Sequence, residues 1–102
     1  MIWSVYIILC TDNTLYTGIT LDVSIRFKQH ATGQGAKYFR GGRLPKQLVY
    51  LETGHNRSSA TKREIDLKKL SRVKKAKLIE SGSNKLTEFL NENSPPVQSI
   101  TG

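Results

Sequence analysis

Two hydrophobic periods follow one another along the chain. Residues 3–10, WSVYIILC, are an apolar and β-branched run too short for an amphipathic helix, and they predict a first strand. Turn residues TDNT occupy 11–14, and LYTGI at 15–19 resumes a strand, so the two runs predict a hairpin. Strand side chains alternate between faces, so the loop length decides which residues meet. An odd loop, Thr11 to Asn13, places Tyr6, Ile8 and Tyr16 on one face, and a two-residue loop separates them. The odd loop is the expectation.

Helical spacing takes over after Asp22, which is placed as an N-cap for a helix from Val23 to Ala31 that stops at Thr32-Gly33. Its apolar stripe is Val23, Phe27 and Ala31, with Arg26 and His30 emerging together at the stripe's edge, an i, i+4 step apart. Residues 33–46, GQGAKYFRGGRLPK, form a basic, glycine-rich loop, and QLVYLET at 47–53 predicts a third strand. A second helix starts at Asn56 or Ser58 and runs to about Leu70. Ser71 caps a third through Ser81, and residues 84–91 predict a short fourth. The tail at 94–102, SPPVQSITG, has nothing to pack and is expected to fray, leaving one α/β domain over 1–93.

Composition narrows the function. Sixteen Lys and Arg against eight Asp and Glu leave a formal charge of +8, which suits a polyanionic partner, since each phosphate contact releases counterions. The single cysteine, Cys10, lies inside an apolar run, which points to a buried thiol and a reducing, cytoplasmic setting. The apolar N-terminus lacks a basic leader and breaks at Thr11-Asp12, short of a membrane span. Neither paired cysteines nor a His-x-x-x-His step argues for zinc, and no P-loop or dinucleotide fingerprint argues for a small-molecule cofactor.

The second helix holds an anomaly. Ala60, Glu64, Leu67 and Leu70 trace its inward stripe, and Glu64 is the carboxylate on it. An unpaired buried charge is costly, so a cation or a metal should meet it; Arg63, Lys68 and Arg26 are the cationic alternatives.

SVY at Ser4 to Tyr6, YTG at Tyr16 to Gly18, then Arg26, His30 and the helical Glu64 resemble the GIY-YIG nuclease superfamily. The closer resemblance is to its small stand-alone bacterial proteins (UPF0213-like), through YTGITLDV, GQGAKY, LVY, KRE and LSRVKK in order over about residues 3–80. Ser4 replaces a glycine and Thr17 an isoleucine of the two triplets, and an asparagine the superfamily often carries late in the chain is not placed among Asn84, Asn91 and Asn93. The resemblance implies an α+β domain with a three-stranded antiparallel sheet flanked by helices. It implies a catalytic set of Tyr6, Tyr16, Arg26, His30 and Glu64, with Lys37 and Tyr38 as substrate contacts.

The residue chemistry fits phosphodiester hydrolysis, which needs an activated water, a counter-charge for the phosphoryl oxygens and help for the leaving oxygen. Glu64 is expected to anchor one divalent ion, Mg²⁺ or Mn²⁺, and Arg26 to hold the scissile phosphate. Tyr6 is expected to act as base or to orient the water, assisted by Tyr16 or His30. Gly18 is expected to let backbone or substrate approach, and Arg40 and Arg43 to join Lys37 and Tyr38 in binding nucleic acid. The expected activity is endonucleolytic cleavage of DNA directed by structure rather than sequence. The alternatives are a nucleic-acid-binding module that keeps the fold without cleaving and, ranked below it, a basic interaction protein; a protein partner is left open.

Overall fold

The structure is a computed structural model that describes residues 1–93; the expected frayed tail lies outside the described residues. Strands β1 (Trp3–Cys10), β2 (Leu15–Thr20) and β3 (Pro45–His55) form one sheet in the order β2-β1-β3, antiparallel throughout. Four helices accompany it: α1 (Val23–Ala31), α2 (Arg57–Lys68), α3 (Arg72–Ile79) and α4 (Leu86–Asn93). A single 3₁₀ turn, Lys37–Phe39, interrupts the basic segment that was expected to be loop alone.

The hairpin turns through the odd loop. Cys10 exchanges backbone bonds with Asn13 and Thr14, and Asn13 takes a left-handed φ of 67°, which asparagine tolerates better than most residues. Tyr16 therefore stands opposite Ile8, and Gly18 opposite Tyr6, all on one face. That face packs on α1, the 3₁₀ turn and α4 around Tyr6, Ile8, Cys10, Val23, Phe39 and Leu51. Val5 and Ile7 point the other way, into a second core with Tyr50, Ala60 and Leu67 that α2 and α3 close.

Local chemistry sets the helix starts. Asp22 accepts the Ile25 N–H, Ser71 accepts the Lys74 N–H, and Asn56 and Ser59 form a reciprocal capping box at α2. β3 runs beyond the expected 47–53 because β1 is long enough to pair with it from Pro45 to His55; Pro45 sits at the strand's first position, where a missing N–H is tolerated. The free edge of β3 is covered by the chain itself. The Asn84 side-chain oxygen accepts from Leu51 N–H, its amide donates to Val49 and Ile79 carbonyls, and Lys85 N–H bonds the Leu51 carbonyl. Asn84 is thus a structural tie between β3, α3 and α4.

One stripe differs from the expectation. Ala31 is exposed on α1, and His30 takes the inward position with no exposed surface, because the chain after the helix folds back over it. No helix among the described residues is long and apolar enough to cross a membrane, and Cys10 is buried as expected.

Candidate active site

Tyr6 is the centre of the site. Its ring lies across Gly18 on the neighbouring strand, where a Cβ would come within 2.5 Å of the Tyr6 hydroxyl. The absent side chain at Gly18 is therefore space that Tyr6 occupies. Gly18 is buried, and in the free protein its missing side chain is the socket for the tyrosine. The Tyr16 ring sits 6.2 Å from that of Tyr6, half-buried rather than enclosed. Burial pushes the Tyr6 phenol well above the usual tyrosine range; the neighbouring Tyr16 and Glu64 add to this, and Arg26 opposes it. Tyr16 is raised too, by burial first, with Arg26 pulling it back and Glu64 adding to the rise.

His30 was expected at the edge of the core, facing a phosphate; the structure places it inside. Its Nε2 lies 2.8 Å from the Tyr6 hydroxyl, and its Nδ1 accepts the Ala36 backbone N–H at 3.2 Å. Phe39 packs 4.4 Å from the imidazole and Tyr16 5.3 Å from it. Burial, reinforced by the positive charge of Arg26, holds the imidazole down at about 4, so His30 is neutral at physiological pH.

Arg26 and Glu64 complete the group. Arg26 is half-buried on α1 and donates to the Gln29 side-chain oxygen at 3.0 Å, a local bond that fixes the guanidinium. Glu64 stands on α2, which packs against edge strand β2 as well as β1, close enough for its charge to raise both phenols. Of its three candidate cations, Lys68 is the one paired with it, at 3.4 Å. Arg63 is engaged elsewhere: its Nε donates to both Glu52 oxygens at 3.1 Å, while Tyr50 and His55 also bond Glu52 at 2.6 Å. Burial alone would raise the Glu52 carboxyl, but these donors outweigh it and hold it below the usual range. The network ties α2 to β3 at Arg63, the residue beside Glu64.

The basic loop divides in two. Tyr38 donates its hydroxyl to Thr14 at 2.7 Å and stacks 5.0 Å from Tyr16, while Arg43 bonds Asp12 at 2.6 Å and lies 4.1 Å above the Tyr38 ring. Both were expected to contact substrate, and both brace the loop against the hairpin. Lys37 and Arg40 are exposed, and Arg40 borders a shallow depression of about 390 Å³ that Gly41 and Gly42 also line.

Glu64 is a single hard oxygen donor beside two phenols. Among the described residues no three His, Cys, Asp or Glu side chains gather into a metal cage. That donor set fits Mg²⁺ or Mn²⁺, which keep several waters and share substrate phosphate oxygens, better than it fits a structural zinc.

Residues 2–77 match the family model described as the GIY-YIG catalytic domain. The chain belongs to the GIY-YIG family. Among curated relatives, a UPF0213 protein of Haloquadratum walsbyi is 49% identical over 80 residues, 78% of this chain and 89% of that protein. A UPF0213 protein of Staphylococcus saprophyticus is 49% identical over 78 residues, 76% and 94% of the two chains. The solution structure of a UPF0213 protein from Bacillus halodurans superimposes with a TM-score of 0.52 at 38% identity, covering 98% of this chain and all of that one (100%). A solution structure from E. faecalis gives 0.54 at 33%, covering 93% of each. The GIY-YIG fold read from the tyrosine triplets is thus the fold present, with the three-stranded antiparallel sheet that the resemblance implied.

Gly35, Ala36, Phe39 and Gln29 are the site residues that sequence reasoning missed. Gly35 and Ala36 lay within the recognised GQGAKY stretch, but nothing in that stretch says which histidine it folds over.

Proposed function

We propose that this chain is a divalent-metal-dependent endonuclease that hydrolyses phosphodiester bonds in DNA and chooses its substrate by structure rather than by sequence. The observation that carries this reading is that Tyr6, Tyr16, Arg26 and Glu64, from four different elements, share one electrostatic neighbourhood. Two phenols, a guanidinium and a carboxylate are a set that can orient water, hold a phosphate and bind a hard cation. Membership of a nuclease family supports it, as does the +8 charge.

Arg26, fixed by Gln29, presents a planar fork to two oxygens of the scissile phosphate. Glu64 would hold the divalent ion, exchanging the Lys68 ammonium for it. That ion, when bound, polarises a non-bridging oxygen and stabilises the leaving one. Tyr6 is a neutral phenol in the free protein and orients the attacking water through its hydroxyl. Arg26 beside it already opposes the rise in its proton affinity, and a divalent cation held by Glu64 would oppose it further. A phenolate so formed, its proton passed to solvent, would take the proton of the attacking water. Tyr16, more open to solvent, is the second hydroxyl on the same face.

Lys37 and Arg40 supply phosphate contacts that carry no base information, which motivates selection by DNA shape. The alternative of a binding module without cleavage draws on the Lys68–Glu64 pair, because a carboxylate neutralised by lysine needs no metal. The two readings part in one assay: purified protein with linear, flapped, branched and single-stranded DNA in Mg²⁺ or Mn²⁺, beside Glu64→Ala. Cleavage by the wild type and none by the variant supports the nuclease. Equal nicking by both marks a contaminant, and unchanged binding without cleavage by either supports the module.

A further inference from the structure

We propose that the backbone N–H of Ala36, brought into place by Gly35, selects the tautomer of His30 and thereby makes His30 a hydrogen-bond donor to Tyr6. The role is one of positioning, and its catalytic consequence rests on the nuclease reading above.

A ring nitrogen that accepts a hydrogen bond carries no proton. Nδ1 of His30 accepts from Ala36 N–H at 3.2 Å, so the proton of the neutral ring resides on Nε2. Nε2 lies 2.8 Å from the Tyr6 hydroxyl, which must then accept. The chain of donors runs one way: Ala36 amide to imidazole, imidazole to phenol oxygen. Two consequences follow for Tyr6. His30 is not the group that takes the Tyr6 proton, since the nitrogen facing the phenol is already protonated. The phenol's own O–H is left to point elsewhere, and when that proton departs, the phenolate finds a donor already in place, a charge-assisted bond stronger than the neutral one.

Three features hold the arrangement. A Cβ on Gly35 would fall 2.2 Å from His30 Nδ1 and 2.9 Å from its backbone N and Cα, so the amide reaches the ring because residue 35 has no side chain. Phe39 at 4.4 Å and Tyr16 at 5.3 Å flank the imidazole and oppose its rotation. Burial keeps the ring neutral, which a tautomer argument requires.

Ala36→Pro is the discriminating variant. Ala36 has φ −63° and ψ 150°, a backbone proline can adopt, so the substitution removes the N–H. The proline Cδ takes the place of that hydrogen against Nδ1, which lies 3.2 Å from the residue 36 nitrogen, and obliges the imidazole to move off its present contact. Long-range ¹H–¹⁵N spectra of the histidines, with His30 assigned by its loss in His30→Gln, read the tautomer directly. The wild type is expected to show Nδ1 unprotonated and Nε2 protonated between pH 6 and 8. Ala36→Pro is expected to populate the other tautomer and to cut single-turnover cleavage about tenfold while DNA affinity holds. Ala36→Gly, which keeps the amide, is expected to match the wild type in both readouts. A wild-type His30 protonated on Nδ1, or an Ala36→Pro spectrum identical to the wild type, overturns the proposal. Should the proline variant fail to fold, the wild-type spectrum alone decides. An inactive wild type with the expected spectrum overturns the nuclease reading and leaves the tautomer assignment standing.

Discussion

Nε2 of His30 and the hydroxyl of Tyr6 meet at 2.8 Å inside the protein, with both side chains shielded from solvent. The pair joins α1 to the central strand of the sheet, and protonation of the imidazole would place an extra charge on a ring with no exposed surface of its own. His30 therefore resists protonation in the fold, falling from the ordinary 6.5 to about 4. The unfolded chain takes up that proton near 6.5 and the folded one does not until about 4. Stability due to this group is fully present above pH 6.5 and is lost as pH falls toward 4, with a slope of at most about 1.4 kcal/mol per pH unit for one proton. Urea unfolding at a series of pH values, compared with His30→Gln, checks this: the variant is expected to show a flatter dependence across that window.

Gly18→Ala is expected to disturb the site from beneath. Its Cβ would lie 2.5 Å from the Tyr6 hydroxyl and 2.7 Å from the ring carbon that bears it, and Tyr6 is a buried side chain with little room to shift. Overpacking of this kind costs about 1–3 kcal/mol. Denaturant midpoints and the near-ultraviolet signal of the tyrosines should shift together; a variant as stable as the wild type, with its tyrosine signal unchanged, would contradict the socket role.

On the opposite face of β2, Thr17 is buried at 2% exposure, and its hydroxyl has no hydrogen-bond partner among the described residues. Valine keeps the shape and suits a strand. Thr17→Val is expected to stabilise the protein by about 1–2 kcal/mol, because it removes an unsatisfied buried hydroxyl. Calorimetry showing a lower melting temperature would mean that the hydroxyl has a partner of its own.

Much of the architecture was legible in the residue pattern, and the exceptions share a cause. Turn chemistry at Asp12 and Asn13 marked the hairpin, and the odd loop, expected there over a two-residue one, is what brings Tyr6 and Tyr16 to one face. Glu64 was recognisable as an oddity on an apolar stripe. The partner of Arg63 was not, since Glu52 lies on another element and local spacing offers Glu64 first. His30 misled for the same reason. Helical spacing sets it beside Arg26 at the stripe's edge, and only the return of Gly35 and Ala36 over the ring buries it. Tertiary contacts decided each case, and sequence periodicity is blind to them.

The basic loop gives a prediction that separates binding from bracing. Lys37 and Arg40 are exposed, so Lys37→Ala and Arg40→Ala are expected to weaken DNA binding across sequences, each lowering the salt slope by about one, with the melting temperature unchanged. Arg43→Ala is expected to lower the melting temperature, since it releases Asp12 and uncovers Tyr38. Fluorescence anisotropy over a salt series together with thermal melts tests the division; an Arg43→Ala protein of normal stability and weakened binding would return Arg43 to the substrate surface.

The most direct test of the account is single-turnover cleavage by Tyr6→Phe under saturating Mn²⁺. The substitution deletes one oxygen from a buried ring that otherwise keeps its packing against Gly18 and Tyr16. If Tyr6 orients or activates the attacking water, the cleavage rate should fall by about 10²-fold or more while DNA affinity stays within about twofold. Undiminished cleavage by Tyr6→Phe would remove Tyr6 from the chemistry and contradict the site proposed here.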